Sequence, residues 1–76
     1  MISKEDVTNE LEMFGSIDRD TMYILFGVPD DEYINNGVTY IYKQADGSIV
    51  MFVFDNDMKD AEVLHVRKDG FEETWN

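Results

Sequence analysis

The chain has 76 residues, 43% of them hydrophobic, and carries 17 acidic side chains against six basic ones, which gives a formal net charge of -11. This apolar fraction is enough for a packed core, so the composition excludes a wholly disordered acidic tail and predicts one folded domain over residues 1–76. Cysteine is absent, which excludes disulfides, thiolate nucleophiles and cysteine-ligated metal sites.

The start of the chain and its apolar runs bear on where the protein works. Residues 1–6 lack the basic segment followed by an apolar stretch that marks a secretory signal, and the longest apolar run, from Ile49 to Phe54, is too short to cross a bilayer. We therefore expect a cytoplasmic protein that makes no membrane contact. The basic residues form no continuous stripe, so we also expect no direct binding of nucleic acid.

Residues 4–14 are predicted to form a first helix. Ser3 can cap its N-terminus, with Asp6 three positions later in the place of the usual capping-box glutamate. Apolar residues recur at the spacing of one helical face, at Val7, Leu11 and Phe14. Gly15 is suited to end this helix in the left-handed conformation.

A second short helix is predicted immediately after the first. Asp18 is a favourable N-cap residue for it. Its apolar residues are Met22, Leu25 and Phe26. Gly27 and Pro29 are expected to end it, because glycine suits the left-handed cap and proline cannot continue the hydrogen-bond ladder.

From residue 38 onward the pattern changes from helix to β-strand. Runs of β-branched, aromatic and other apolar residues cover residues 38–43, 48–54 and 61–67. Asp46-Gly47, between the first two runs, is a strong signal for a tight hairpin turn. The sequence therefore predicts an α+β fold, with two N-terminal helices packed on a three-stranded antiparallel β-meander. The tail carries Phe71 and Trp75, two side chains able to pack back onto the domain.

The middle strand offers apolar side chains on both faces, whereas two short helices can cover only one face. With a two-residue turn, Tyr42 lies opposite Met51 on one face and Ile41 opposite Phe52 on the other. The second face looks more like core, and tyrosine and methionine are typical of partner-binding surfaces. The predicted apolar interface comprises Tyr40, Tyr42 and Met51, joined by His65 from the third strand. Two alternatives stay open: the tail covers this face, or a one-residue change in register exchanges the two faces.

Two acidic segments are predicted to add carboxylates to the same contact. They are Asp30, Asp31 and Glu32 after the second helix, and Asp55 and Asp57 after the middle strand. An EF-hand calcium loop beginning at Asp55 would need an oxygen ligand at Lys59, glycine at Asp60 and glutamate at Val66. The loop fails at all three positions, so no metal site is predicted.

The sequence predicts no catalytic residue and no cofactor. His65 is the single histidine, no cysteine is available for it to activate, and no signature ties it to a serine or aspartate. Each glycine falls at the end of a predicted element, so no glycine-rich phosphate loop is present. We therefore expect a protein that is not an enzyme.

Three segments resemble a known family in their order and spacing. Residues 25–30 resemble its helix-ending Leu-x-Gly-x-Pro turn, residues 37–42 its aromatic-x-Tyr first strand, and residues 51–56 its second strand running into a turn. Over residues 4–67 the chain resembles the SmpA/OmlA-type outer-membrane assembly lipoprotein domain, which implies two helices followed by a three-stranded meander. The chain lacks the family's lipidated cysteine, so only the fold is carried over.

The β-lactamase inhibitor protein is similar in using related helix-helix-sheet units, which implies that the sheet of such a unit can block another protein. Together with the charge, this suggests a small acidic protein that inhibits a partner by binding its basic surface. The surface that we expect above all is one that binds nucleic acid, and the protein would bind there as a mimic of nucleic acid. A phage inhibitor of a host nuclease or defence complex fits this description, and so does an immunity protein against a nuclease toxin. The alternative from another class is a homodimeric structural or assembly adaptor, in which a second copy closes the sheet.

Overall fold

The computed structural model describes residues 1–76, which form two helices followed by five strands. The elements are α1 (Lys4–Phe14), α2 (Arg19–Phe26), β1 (Asp31–Ile34), β2 (Val38–Lys43), β3 (Ile49–Phe54), β4 (Glu62–Val66) and β5 (Glu72–Thr74). The strands form one sheet in the order β1-β2-β3-β4-β5, and every neighbouring pair is antiparallel.

The predicted helix boundaries are confirmed, because local side chains set them. Ser3 Oγ accepts a hydrogen bond from the Asp6 amide at 3.1 Å, and Asp18 Oδ1 accepts one from the Thr21 amide at 2.8 Å. Each bond satisfies one of the amides that a helix start leaves unpaired. Gly15 ends α1 with a φ of 80°, and its amide donates to the carbonyl of Leu11. This is the left-handed cap that glycine adopts at low cost.

The prediction of a three-stranded meander is wrong, because the sheet has five strands. The two missed strands are the edges, β1 with the sequence Asp-Glu-Tyr-Ile and β5 with Glu-Glu-Thr. Acidic residues are depleted in strands, so neither segment shows a strand pattern of its own. Each edge strand is held by pairing with one neighbour: β1 pairs with β2, and β5 pairs with β4. Asp31 and Glu32 therefore lie in an edge strand and not in a helix exit.

The β2–β3 hairpin has a three-residue loop, Ala45-Asp46-Gly47, where two residues were predicted. The Gln44 amide donates to the Ser48 carbonyl at 2.9 Å, and the Gly47 amide donates to the Gln44 carbonyl at 3.1 Å, with Gly47 at a φ of 88°. A turn followed by a left-handed glycine is the usual three-residue hairpin. The extra residue shifts the register by one, so Tyr42 lies opposite Val50 and Ile41 opposite Met51. The predicted face is therefore reversed for the residues of β2, whereas in β3 Phe52 lies in the core and Met51 on the other face, as predicted.

One core joins the helices to one face of the sheet. Its buried members are Val7, Ile17, Met22, Val38, Tyr40, Tyr42, Val50, Phe52, Phe54, Ala61, Val63 and Trp75. Phe26 of α2 packs on Phe52 with ring centroids 5.4 Å apart, and Tyr23 meets Tyr40 edge to face at 5.8 Å. Both helices therefore lie on the face that carries the even-numbered residues of β2 and β3.

The end of the chain packs on the same side of the sheet as the helices. Trp75 is buried, and its amide donates to the Val63 carbonyl at 2.9 Å, whereas Phe71 stays exposed. The tail therefore seals part of the core and leaves the second face of the sheet uncovered.

Candidate functional site

The second face of the sheet is covered by neither helix nor by the tail. Strand pairing arranges its side chains in rows that cross the strands, and the central row is Asp31, Ile41, Met51, Leu64 and Thr74. We call the apolar centre of this second sheet face the open face. It comprises Thr39, Ile41, Ile49, Met51, Val53, Leu64 and Val66. All seven side chains are half-buried, and in β2 and β3 they alternate regularly with core residues. The open face is therefore a continuous apolar surface over the three middle strands.

Charged residues flank the open face on both sides, although the row of Thr39 and Val53 ends at Tyr33 in β1. On the β1 side, Asp31 forms an ion pair with Lys43 at 3.6 Å, which neutralises both charges locally. On the other side, Glu62 ends the row of Val53, and Glu72 lies next to Val66. Neither glutamate takes part in an ion pair. The surroundings of the open face are therefore net acidic, with the free charge on the β4–β5 side.

The predicted apolar interface is only partly right in position. Met51 lies at the centre of the open face. Tyr40 and Tyr42 do not, because they are buried beneath α2 with 2% and 5% of their surface exposed. The physical reason is the three-residue hairpin loop, which turns these two side chains toward the helices. The proposal that these tyrosines contact a partner is therefore wrong.

Tyr42 has a structural role in the core instead. Its hydroxyl donates a hydrogen bond to the carbonyl of Gly27 at 2.8 Å, which ties the end of α2 to the middle of the sheet. Burial raises the pKa of this phenol to about 12.

His65 also lies on the helix side of the sheet, opposite Val50 and Glu73. Its ring stacks on the Trp75 indole with centroids 4.8 Å apart, and its Nδ1 lies 3.2 Å from Glu73 Oε1. The same carboxylate oxygen accepts a hydrogen bond from the indole Nε1 at 3.1 Å. Both hydrogen bonds lower the pKa of Glu73, and the bond from the indole has the larger effect. The cluster ties β5 to β4, so His65 is a structural residue and not part of the open face.

The predicted acidic residues do not gather on one surface. Asp30 Oδ2 accepts a hydrogen bond from the Lys43 amide at 2.6 Å, and Glu32 lies opposite Tyr40 on the helix side. Asp55 and Asp57 are exposed in the loop after β3, where Asp57 accepts from the Lys59 amide. Of the five predicted acidic residues, Asp31 alone lies in a row of the open face.

The whole molecule carries negative charge on both layers. Four carboxylates lie on α1, at Glu5, Asp6, Glu10 and Glu12, and others occupy the loops and edge strands. The expectation of one acidic face is therefore wrong: the negative field surrounds the protein, and the open face is the apolar area within it.

Sequence reasoning missed most of the open face. Ile41, Leu64 and Val66 and the flanking Glu62 and Glu72 were not among the predicted contacts. The sequence of β3 is apolar at every position and carries no signal for its faces, so one correct cross-strand pair was needed to fix the rest.

Other surfaces offer less. A groove of about 400 Å³ between the N-terminus and the two helices is lined by residues such as Met1, Met13 and Leu25. No group of three side chains of the metal-binding types converges anywhere in the structure. Neither helix is long and apolar enough to span a bilayer.

Comparison with known proteins adds no relative. No protein-family model matches the chain, and no curated protein or solved structure matches it significantly. The resemblance to the SmpA/OmlA-type domain therefore stays a prediction. The surfaces of this chain are the basis for its proposed function.

Proposed function

We propose that this protein binds a basic surface of another protein and inhibits that protein by occupying the surface. One observation carries the proposal: a continuous apolar sheet face, flanked by unpaired carboxylates, lies uncovered in a chain of net charge -11. An apolar centre with a polar rim is the usual anatomy of a protein–protein interface. A soluble protein that keeps such a face open has a use for it.

The apolar centre would supply most of the affinity. Met51 lies between Ile41 and Leu64, and covering these side chains removes apolar surface from water at about 25 cal/mol per Å². Methionine adapts its shape to different contacts, which suits it to the middle of a binding surface. Central, fully desolvated contacts carry most of the energy of an interface, so Met51 is the residue where truncation should matter most.

The acidic surroundings would supply partner choice and speed. Opposite charge accelerates encounter by about 10- to 1000-fold at low salt, and salt screens the attraction beyond about 8 Å at physiological ionic strength. Glu62 and Glu72 have no cation of their own and are free to meet lysine or arginine of a partner. A basic partner is therefore preferred over a neutral one.

The partner class that we propose is a nucleic-acid-binding protein, such as a nuclease. Its binding surface already carries the lysines and arginines that meet phosphates, so an acidic ligand can compete for the same groups. Blocking that surface requires occupation only and no chemistry. A phage inhibitor and an immunity protein would both work in this way.

A second copy of the chain is the other candidate for the open face, favoured by its apolar centre. In a face-to-face dimer the carboxylates of Asp31, Glu62 and Glu72 would approach those of the second copy, within two chains that each carry -11. Like charges brought together across such an interface oppose association. The basic partner is therefore the better occupant.

The test is capture of partners from bacterial lysate by immobilised protein at low and high salt, with identification by mass spectrometry. Met51→Asp places a charge at the centre of the open face. Ile24→Asp is the matched control, because Ile24 is 82% exposed on α2 and its substitution makes the same change in net charge on the other layer. We expect a basic protein that is retained at low salt by the parent chain and Ile24→Asp and is lost with Met51→Asp. The captured protein should also release a labelled DNA or RNA duplex when the parent chain is added.

Three results would contradict the proposal. Equal retention by both variants would show that charge alone captures the partner. Retention without release of nucleic acid would remove the inhibitory role. A salt-insensitive dimer by light scattering, dissociated by Met51→Asp, would favour the adaptor.

A further inference from the structure

The two edge strands of the sheet are β1 and β5. At the β5 edge, the Asn76 side chain continues the pairing of β4: its Oδ1 accepts from the Val63 amide at 3.1 Å, and its Nδ2 donates to the Ala61 carbonyl at 3.0 Å. The Asn76 side chain therefore pairs backbone groups of β4 beyond the end of β5, which is itself only three residues long. β1, at the other edge, has no strand or helix paired beyond it.

The hairpin register shows which backbone groups of β1 face outward. The hydrogen bond between Gln44 and Ser48 means that even-numbered residues of β2 bond to β3, so odd-numbered residues bond to β1. Their partners in β1 are Tyr33 and Asp31. Successive residues of a strand direct their backbone groups to opposite sides. The N–H and C=O groups of Glu32 and Ile34 therefore point away from the sheet.

The side chains of β1 leave this edge accessible. All four residues are exposed, and two of them are large and apolar, Tyr33 with 61% and Ile34 with 78% of its surface exposed. β1 contains neither proline nor lysine, two residues that commonly protect an edge strand. It does contain Asp31 and Glu32, and Asp30 directly precedes it. The edge is therefore apolar and acidic together.

We propose that β1 accepts an extended segment of a partner as a sixth strand, with lysine or arginine alternating with apolar residues in that segment. Backbone hydrogen bonds to Glu32 and Ile34 would hold the segment, and side-chain pairs would select it. Opposite charges across neighbouring strands are favourable and like charges are not, so a basic strand is preferred and a second copy of β1 is disfavoured.

The inference rests on the proposed function for the charge of the partner and adds a second contact to it. Asp31 lies in the central row of the open face, so a strand added at β1 would extend that face by one position. A basic partner covering the open face could therefore place an extended arm at this edge. Four residues offer only two outward-facing positions, so the added strand should bind weakly by itself.

The experiment uses two synthetic peptides of about eight residues, both alternating valine and arginine. The second peptide is N-methylated at alternate residues, which removes backbone donors and leaves charge and side chains unchanged. Binding is followed by amide NMR of the isotope-labelled protein, together with hydrogen exchange. We expect the unmethylated peptide to bind with shifts centred on β1 and to slow exchange of the Glu32 and Ile34 amides at least about tenfold. The methylated peptide should do neither.

Equal binding of both peptides would overturn the inference, because it would reveal charge attraction without strand pairing. So would shifts confined to other surfaces, or no binding of either peptide up to about 1 mM. Ile34→Pro is the second variant, since it removes an outward donor and leaves the inner ladder intact; it should stay folded and lose peptide binding. If Ile34→Pro still captures the basic protein from lysate as the parent does, the edge is not used and the proposed function stands.

Discussion

The indole Nε1 of Trp75 donates a hydrogen bond to the carboxylate of Glu73 at 3.1 Å. Through this bond a side chain of edge strand β5 holds the buried indole in place, while the His65 ring of β4 stacks on the indole with centroids 4.8 Å apart. Trp75 is the only tryptophan of the chain, so its fluorescence reports directly on whether this edge is formed.

Glu73→Gln should make the protein less sensitive to acid. The hydrogen bonds from Trp75 and His65 hold the pKa of Glu73 below its ordinary value of 4.5. A carboxyl whose folded pKa is lowered stabilises the fold above the unfolded pKa, and this contribution is lost as pH falls through the folded pKa. We therefore expect the free energy of unfolding, followed by tryptophan fluorescence in urea, to fall less in the variant than in the parent chain below about pH 4.5.

Glu72→Gln is the control for Glu73→Gln, since it removes the same charge from the adjacent position on the other face of the sheet. Glu72 bonds neither Trp75 nor His65, so an effect seen with Glu73→Gln and not with Glu72→Gln reports those two hydrogen bonds. An identical pH dependence of Glu73→Gln and the parent would show that the indole bond contributes nothing to stability.

Tyr42→Phe should destabilise the fold by about 1 kcal/mol, because it removes the partly buried hydrogen bond from the Tyr42 hydroxyl to the Gly27 carbonyl. Burial raises the pKa of Tyr42 to about 12 from an ordinary 10.0. A phenol whose pKa is higher in the folded than in the unfolded state stabilises the fold below the unfolded pKa. This contribution is lost as pH rises through the folded pKa. The parent should therefore lose stability between about pH 10 and pH 12 more steeply than the variant. Urea unfolding across that range measures both effects, and equal slopes would contradict the assignment.

The parts of the fold that could be predicted are those set by neighbours in sequence. Ser3 and Asp18 cap their helices through amides three residues away, so the boundaries follow from the local pattern. The middle strands were predictable because they are runs of β-branched and aromatic residues bounded by turn signals. β1 and β5 were not, since Glu32 and Glu72 have no strand preference of their own and pair only because β2 and β4 offer open edges.

The candidate site depended on one residue of loop length. A hairpin loop that begins at Ala45 and not at Asp46 places Tyr42 opposite Val50 and not opposite Met51, so every side chain of β2 changes face relative to β3. Nothing within the strands distinguishes the two registers strongly, because both faces are apolar. The helices settle the choice through Phe26, which packs on Tyr42 and Phe52.

Gly37→Ala should destabilise the sheet by about 2 kcal/mol or more. Gly37 is buried at the start of β2, and a Cβ placed there would overlap the carbonyl oxygen of Phe54 and lie 3.3 Å from Asp55 Cα. Backbone atoms of a paired strand cannot move aside as a flexible side chain could. Thermal unfolding followed by circular dichroism measures the loss.

Gly70→Ala is the matched comparison for Gly37→Ala, because Gly70 has open space around it and only its φ of 93° opposes a side chain. It should cost about 1 kcal/mol. A Gly37→Ala protein as stable as Gly70→Ala would mean that the Gly37 backbone does not lie in contact with the Phe54 carbonyl at the end of β3.

Deletion of Ala45 should leave the fold and both faces of the sheet unchanged. The shortened loop is Asp46-Gly47, a pair suited to the two-residue turn, and Gln44 and Ser48 still lie opposite each other. Deletion of Gly47 is the control: it leaves Ala45-Asp46, which lacks a glycine for the left-handed position, and should lower stability by about 1 kcal/mol or more. Titration of Tyr42, followed by ultraviolet absorbance, reports which face is buried. If its pKa falls to the ordinary 10.0 when Ala45 is deleted, the register has moved, and neither the Asp46-Gly47 turn nor the packing of Phe26 is enough to hold Tyr42 on the core face.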